Sequence, residues 1–172
     1  MPEPIRSPRL DLVELSAELL VWIAEENLDA IEDTLGVTVS PAWLPTVPAK
    51  TNYKLLREDP ANRPWLSRGI VLRAERALIG EVGFHSAPDE LAVVELSYEV
   101  LPGYRRRGIA AEAVLALTDW AYETGEAGTA YATIEAGNTA SIGLVRSLGF
   151  LRGELYEEPG IQFYESGLPL RR

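Results

Sequence analysis

Alternation with a period of two marks the β-forming parts of the chain. Leu10 to Leu15 alternates over a short strand, and Trp65 to Arg73 and Ala77 to His85 read as two strands joined by the charged turn Ala74-Glu75-Arg76. Leu91 to Val100 is the longest strand. It puts Ala92, Val94, Leu96, Tyr98 and Val100 on one face and Leu91, Val93, Glu95, Ser97 and Glu99 on the other, so Glu95 stands in mid-strand away from the apolar row. Thr129 to Glu135 alternates in the same way, and Leu151 to Glu157 and Gly160 to Ser166 flank the turn at Glu158-Pro159.

Helical periodicity fills the gaps between these strands. Ser16 caps a run that continues from Ala17 toward Leu35 and stops at Gly36, and a second helix covers Lys50 to Glu58, ahead of Asp59-Pro60. A third begins at Ile109 with a stripe of Ile109, Ala113, Leu117 and Ala121, widened by Val114 and Trp120, which predicts that it lies on the sheet. Asn138 caps a fourth, Thr139 to Leu148, ended by Gly149, and Leu168 to Arg172 reads as a frayed end. No repeat or linker divides the chain, so residues 1–172 are expected to form a single domain of α+β class, neither doubly wound nor a simple sandwich.

Two stretches do not fit a plain core. Val37 to Pro48 carries Pro41, Pro45 and Pro48 around Trp43 and Leu44, which is loop chemistry with large apolar side chains. It either packs on its own domain or covers a pocket as a lid. Tyr98 to Ala113 runs from a strand through Arg105-Arg106-Arg107-Gly108 into an Ala-rich helix. A helix N-terminus leaves its first amides unpaired and carries about half a positive charge, so arginines beside it make an anion seat; the plainer reading is a solvated charge run.

Charge sharpens that contrast, because the chain as a whole has a formal net charge of -10. Such a balance argues against nonspecific nucleic-acid or anionic-membrane binding and weakly favours a cationic partner. No segment approaches the roughly 20 apolar residues of a membrane span, and the start lacks the apolar core of a secretory signal, so a cytoplasmic location is the default expectation. There is no cysteine and one histidine, which removes thiolate chemistry, a Cys acyl-enzyme and a His-rich metal cluster. His85 itself reads as a loop or strand-end residue. No Gly-x-Ser-x-Gly elbow supports a hydrolase, and no Gly-Lys-Ser/Thr follows the arginine turn as a nucleotide-triphosphate loop requires.

Arg105-Arg106-Arg107-Gly108-Ile109-Ala110 resembles the Arg/Gln-x-x-Gly-x-Gly/Ala pyrophosphate loop of the GNAT acyltransferases, and Asn138-Thr139-Ala140-Ser141 followed by Leu148-Gly149-Phe150 resembles their Asn-x-x-Ser helix and Gly-Phe strand entry. The Arg9-Leu10-Asp11-Leu12 start and Glu95-Leu96-Ser97-Tyr98 are similar to the RimJ/RimL-type branch of ribosomal-protein N-acetyltransferases. The likeness runs from Arg9 to about Glu165 and is weakest over the Pro-rich loop and the helix after it.

The resemblance implies a GNAT fold, a mostly antiparallel sheet of about seven strands with about four helices, splayed between its fourth and fifth strands, here Leu91 to Val100 and Thr129 to Glu135. It implies acetyl-CoA as cosubstrate and no metal. Backbone groups near Tyr98 and Val100 would pair with the pantetheine arm. The amides from Arg107 to Ala110, including Gly108 and Ile109, would hold the pyrophosphate with the Arg105, Arg106 and Arg107 side chains. Asn138 would touch the pantetheine, with Ser141 one turn on.

For the chemistry, Glu95 is the expected base, directly or through water, with Glu99 second on the same face; a purely structural Glu95 paired to an arginine is the alternative. A backbone N–H near the strand's end, that of Val100, would meet the developing oxyanion. Relatives often carry a tyrosine acid on the last helix, but that position is Val145 here, so Ser141 becomes the candidate proton donor, or only a hydrogen-bonding residue. The implied activity is acetyl transfer to a primary amine, a protein N-terminus or a small molecule, in a ternary complex. A noncatalytic CoA-binding module of the same fold is the alternative, and a homodimer is compatible with either.

Overall fold

The structure is a computed structural model that describes residues 1–154 and 158–170. The described chain runs β1 (Ile5–Arg6), β2 (Leu10–Glu14), α1 (Ala17–Ala24), α2 (Leu28–Leu35), β3 (Thr38–Val39), α3 (Ala49–Glu58), β4 (Arg68–Leu72), β5 (Ala77–Phe84), β6 (Val93–Val100), α4 (Ile109–Glu123), β7 (Thr129–Glu135), α5 (Thr139–Ser147), β8 (Leu151–Gly153) and β9 (Ile161–Gly167). Three 3₁₀ turns lie at Pro41–Thr46, Pro60–Trp65 and Pro102–Tyr104. The sheet therefore has nine strands among the described residues, ordered β1-β2-β4-β5-β6-β7-β9-β8 with β3 beside β5, where periodicity predicts about seven. The two extra strands, β1 and β3, are each two residues long, too short to leave an alternating pattern.

The expected helix from Ala17 to Leu35 is two helices. Glu25 closes α1, Glu26 takes a left-handed φ of 57°, and Asn27 opens α2 by accepting from the Ala30 amide. An uncharged residue with its own capping oxygen thus outcompetes continuation of the helix. Ser16 caps α1 through the Leu19 amide and Gly36 ends α2 in the left-handed region.

The Pro-rich loop is core. Trp43 is fully buried, and its indole Nε1 donates to the Gly80 carbonyl at 2.7 Å. It sits in a cluster with Leu19, Leu20, Ile31 and Leu78 on the α1/α2 side of the sheet. The second cluster, on the other face, packs α4 against β5 and β6 through Ile109, Ala113, Val114, Leu117 and Ala121 over Val82, Val94 and Leu96. Burial of each large aliphatic side chain there contributes roughly 1.5–3 kcal/mol. The last turn of chain is not frayed up to 170: the Leu168 amide bonds to the Gly128 carbonyl and Leu170 is buried. The strand expected over Leu151 to Glu157 is seen at Leu151–Gly153; residues 155–157, and the end of the chain at 171–172, lie outside the described residues.

One junction in the sheet sets up the site. β6 and β7 run parallel and pair only at Val93↔Thr129, Val94↔Ala130 and Glu95↔Tyr131, although β6 continues to Val100 and β7 to Glu135. Beyond Glu95 the strands part. Both neighbours are held from their outer sides, β6 by β5 and β7 by β9, so the gap is a fixed feature of the sheet.

Candidate active site

Main-chain alternation decides what faces the gap. Glu95 and Leu101 both bond to β5, through the His85 amide to the Glu95 carbonyl at 2.9 Å and the Leu101 amide to the Ile79 carbonyl at 2.8 Å. The register between these points is regular, so the N–H and C=O groups of Leu96, Tyr98 and Val100 point the other way, into the gap.

At the far end of the gap stands the N-terminus of α4. Gly108 caps it in the left-handed region with φ of 73°, and the first intrahelical bond joins the Glu112 amide to the Gly108 carbonyl at 3.1 Å. The amides of Ile109, Ala110 and Ala111 therefore have no partner within the helix. The small residues at 108, 110 and 111 leave them open to a ligand. The helix end is anchored to the β1–β2 turn by Glu112, which forms a 2.7 Å ion pair with Arg9 and also accepts from the Arg9 amide and the Ser7 hydroxyl. Burial works against ionising Glu112, but those three donors outweigh it and hold its carboxyl below the ordinary value.

An open cleft of about 880 Å³ joins these parts. Tyr98, Glu99 and Val100 line it from β6, Arg105, Arg106, Gly108, Ile109 and Ala110 from the turn and α4, and Asn138 and Ser141 from α5. Nine of the ten residues expected to contact the cosubstrate thus meet in one cavity. Arg107 is the exception: its guanidinium lies over the Tyr104 ring, 5.3 Å from the centroid, and its carbonyl accepts from Arg9 at 2.8 Å. Arg105 turns inward, donating from Nε to the Val100 carbonyl at 2.8 Å. Across the cleft the Tyr98 hydroxyl donates to the Ser141 carbonyl at 3.3 Å, and the Asn138 side chain accepts from the Ser141 amide at 3.1 Å. Val145 is fully buried, so no hydroxyl reaches the cleft from that position.

The other face of β6 is polar and carries the candidate base. Glu95 is not in the wall of the cleft; it lies at the point where β6 and β7 part, on the face turned away from α4. Its Oε1 accepts from the Tyr131 hydroxyl at 3.0 Å and lies 3.2 Å from His85 Nδ1, while Oε2 accepts from the Thr133 hydroxyl at 3.4 Å. The bond with His85 is the main reason its carboxyl sits below the ordinary range, and the same bond raises the imidazole above 6.5. The expected partner, were Glu95 structural, was an arginine; the partner is the chain's sole histidine. Glu99 is exposed and lines the cleft.

Sequence reasoning missed Glu81. It pairs across strands with Glu99 and is buried, and burial pushes its carboxyl up to about 8 against the pull of the Ser67 and Ser97 hydroxyls. Its signal was a lone charge at the centre of an otherwise apolar strand. Gly83, two residues on, has the Leu66–Ser67 main chain pressed on it: a Cβ there would stand 2.6 Å from Ser67 Cα.

Donor atoms at a helix N-terminus, an unpaired strand edge leading from them and a charged cluster at the edge's far end thus lie along one side of the sheet gap. Residues 19–151 match the acetyltransferase (GNAT) domain family, and the chain belongs to it. The chain is 27% identical over 152 residues to the uncharacterized N-acetyltransferase YoaA of Bacillus subtilis (strain 168), covering 88% of this chain and 76% of that one. In structure it is similar to RimL, a ribosomal L7/L12 alpha-N-protein acetyltransferase solved with coenzyme A, with a TM-score of 0.67, 15% identity and coverage of 96% and 98% of the two chains. It is also similar to the microcin C7 self-immunity acetyltransferase MccE, solved with acetyl-CoA and AMP, with a TM-score of 0.64, 14% identity and 98% coverage of both chains. The protein is therefore an acyltransferase of mixed α/β GNAT fold. Among the described residues no helix is long and apolar enough to cross a membrane, and no group of metal-ligating side chains stands together.

Proposed function

We propose that the protein transfers the acetyl group of acetyl-CoA to a primary amine, by direct attack within a ternary complex. The observation that carries this reading is the continuity of the site: free α4 amides with Arg105 and Arg106, the gap-facing main chain of Tyr98 and Val100, and the Glu95 cluster follow one another along a single strand. These groups fit the phosphates, the amide-bearing arm and the reacting end of acetyl-CoA in that order. Coenzyme A complexes of the structural relatives add support.

An alkyl amine with a pKa near 10.4 is almost wholly protonated at neutral pH, so it must lose a proton before it attacks. Glu95 supplies the negative charge at the parting of β6 and β7 toward which that proton moves, directly or through a bridging group; Glu99 is the second carboxylate on this face. The Val100 amide faces the gap and is available to the developing oxyanion. The departing thiolate, with a pKa near 8.5, takes its proton from the Ser141 hydroxyl or from water. With no cysteine in the chain, no thioester to the protein intervenes.

The test is CoA release from acetyl-CoA in the presence of N-terminal peptides, polyamines and aminoglycosides. The peptides are included because RimL acts on a ribosomal protein's N-terminus. Turnover with at least one amine is expected. Acetyl-CoA binding without turnover on any of them would instead support a noncatalytic CoA-binding module.

A further inference from the structure

We infer that His85 is the group that takes the proton from the acceptor amine, and that Glu95 is the residue that positions it. The inference rests on the acetyl-transfer reading above. It starts from how Glu95 is used. Both of its oxygens are engaged, one by Tyr131 and His85 and the other by Thr133, in a fan of contacts that fixes the carboxylate rather than presenting it.

An ionised carboxylate only accepts, so His85 must donate to it from Nδ1–H. That fixes the tautomer of the neutral ring and leaves the lone pair at Nε2. The ring is 54% exposed, so Nε2 is within reach of a solvent-borne substrate. His85 follows Phe84 at the end of β5 and is held opposite Glu95 by its own amide bond to the Glu95 carbonyl. His85, Glu95 and Tyr131 thus form one row across β5, β6 and β7, ending at the last paired position before the gap opens. A row so placed meets the amine from the face opposite α4, while the cleft brings the donor in from the other end.

Basicity favours the same assignment. A carboxylate held below its ordinary value is a poor match for an ammonium, whereas an imidazole raised by its carboxylate partner is nearer to it. The groups that face the ring are Glu95 from β6 and, through Glu95, Tyr131 and Thr133 from β7; Glu81 lies four residues back on β5.

The step balances as follows. The ammonium gives one proton to Nε2, the freed nitrogen forms a C–N bond with the acetyl carbonyl carbon, and the C–S bond breaks with its electron pair on sulfur. The thiolate takes a proton from the Ser141 hydroxyl or a water, which is refilled by the nitrogen's second proton, and the imidazolium returns its proton to water.

The single histidine makes the test clean, because its ring signals in a nuclear magnetic resonance titration of the whole protein have one source. With an amine that turns over in the panel above, His85→Gln is expected to lower kcat about 10²- to 10⁴-fold while acetyl-CoA binds unchanged by calorimetry. Added imidazole should restore part of the rate of His85→Ala. Glu95→Gln should lower the ring's titration midpoint, and the acid limb of kcat/KM should move to lower pH with it. A folded His85→Gln protein that keeps its rate and acid limb overturns the role of His85 and leaves acetyl transfer standing. A wild-type protein that acetylates no amine overturns the reading beneath it.

Discussion

Arg105 and Val100 are tied by a 2.8 Å hydrogen bond from the guanidinium Nε to the main-chain carbonyl, so the arginine turn and the gap-facing end of β6 form one unit. Arg107, two residues on, is instead spent on Tyr104 and Arg9. The three adjacent arginines should therefore behave differently. Arg105→Ala and Arg106→Ala are each expected to raise the acetyl-CoA dissociation constant about tenfold or more, the scale of one charge-assisted bond of roughly 1.5–3 kcal/mol. Arg107→Ala should change it by less than about threefold. Calorimetric titration separates them, and equal losses for all three would contradict the division.

Glu81 should leave its mark on stability rather than on binding. Its carboxyl ionises near 8 in the folded protein, against 4.5 as the ordinary value, so between those points the unfolded chain releases a proton that the folded chain keeps. The slope of stability with pH is then negative: this group's contribution is complete below about 4.5 and is lost progressively up to about 8. Glu81→Gln keeps the shape and the hydrogen-bonding to Ser97 without the charge. It is expected to flatten the slope and to be the more stable protein at pH 8, by an amount on the order of a few kcal/mol. Urea midpoints of both proteins at pH 5 and pH 8 decide it; parallel pH curves would refute it.

Trp43 distinguishes a wall from a lid. Replacing it with Phe leaves the buried Gly80 carbonyl without its indole donor and opens space in the α1/α2 cluster. A loss of about 2–4 kcal/mol is expected in denaturant unfolding, with acetyl-CoA affinity unchanged. A lid would show the reverse, an altered KM at constant stability.

Local rules carried most of the fold into view. β7, α4 and the two asparagine- and serine-capped helix starts are where periodicity and capping place them, because one face of each element is apolar and its ends carry the capping chemistry. The break at Glu26 escaped because a left-handed glutamate leaves no compositional trace. The splay between β6 and β7 was expected through the family resemblance alone; that only three residue pairs join them had no local signal, being fixed by contacts far apart in sequence.

The His85–Glu95 pair could have been found. Pro88-Asp89-Glu90 marks the turn, and a hairpin centred on Glu90 sets residue 85 opposite 95 and residue 81 opposite 99, which are the observed neighbours. Reading both strands singly, without folding them onto each other, hid the pair. The rotation of Arg107 away from its neighbours had no such signal; it depends on Tyr104 and Arg9 arriving from the 3₁₀ turn and from the β1–β2 turn.

The seam of three residue pairs between β6 and β7 has a thermodynamic side. Two half-sheets meet there, and on the gap side the main chain of Tyr98 and the Val100 amide have no neighbouring strand, while the Val100 carbonyl is held by Arg105. A donor molecule whose arm carries amides, bound as proposed, would close that seam as a length of polypeptide does, and occupancy and folding would become one coupled equilibrium. Saturating ligand at a hundred times its dissociation constant would stabilise such a protein by about 2.7 kcal/mol. Amide exchange at residues 96–100 would then report the cofactor supply around the protein as directly as it reports the protein itself.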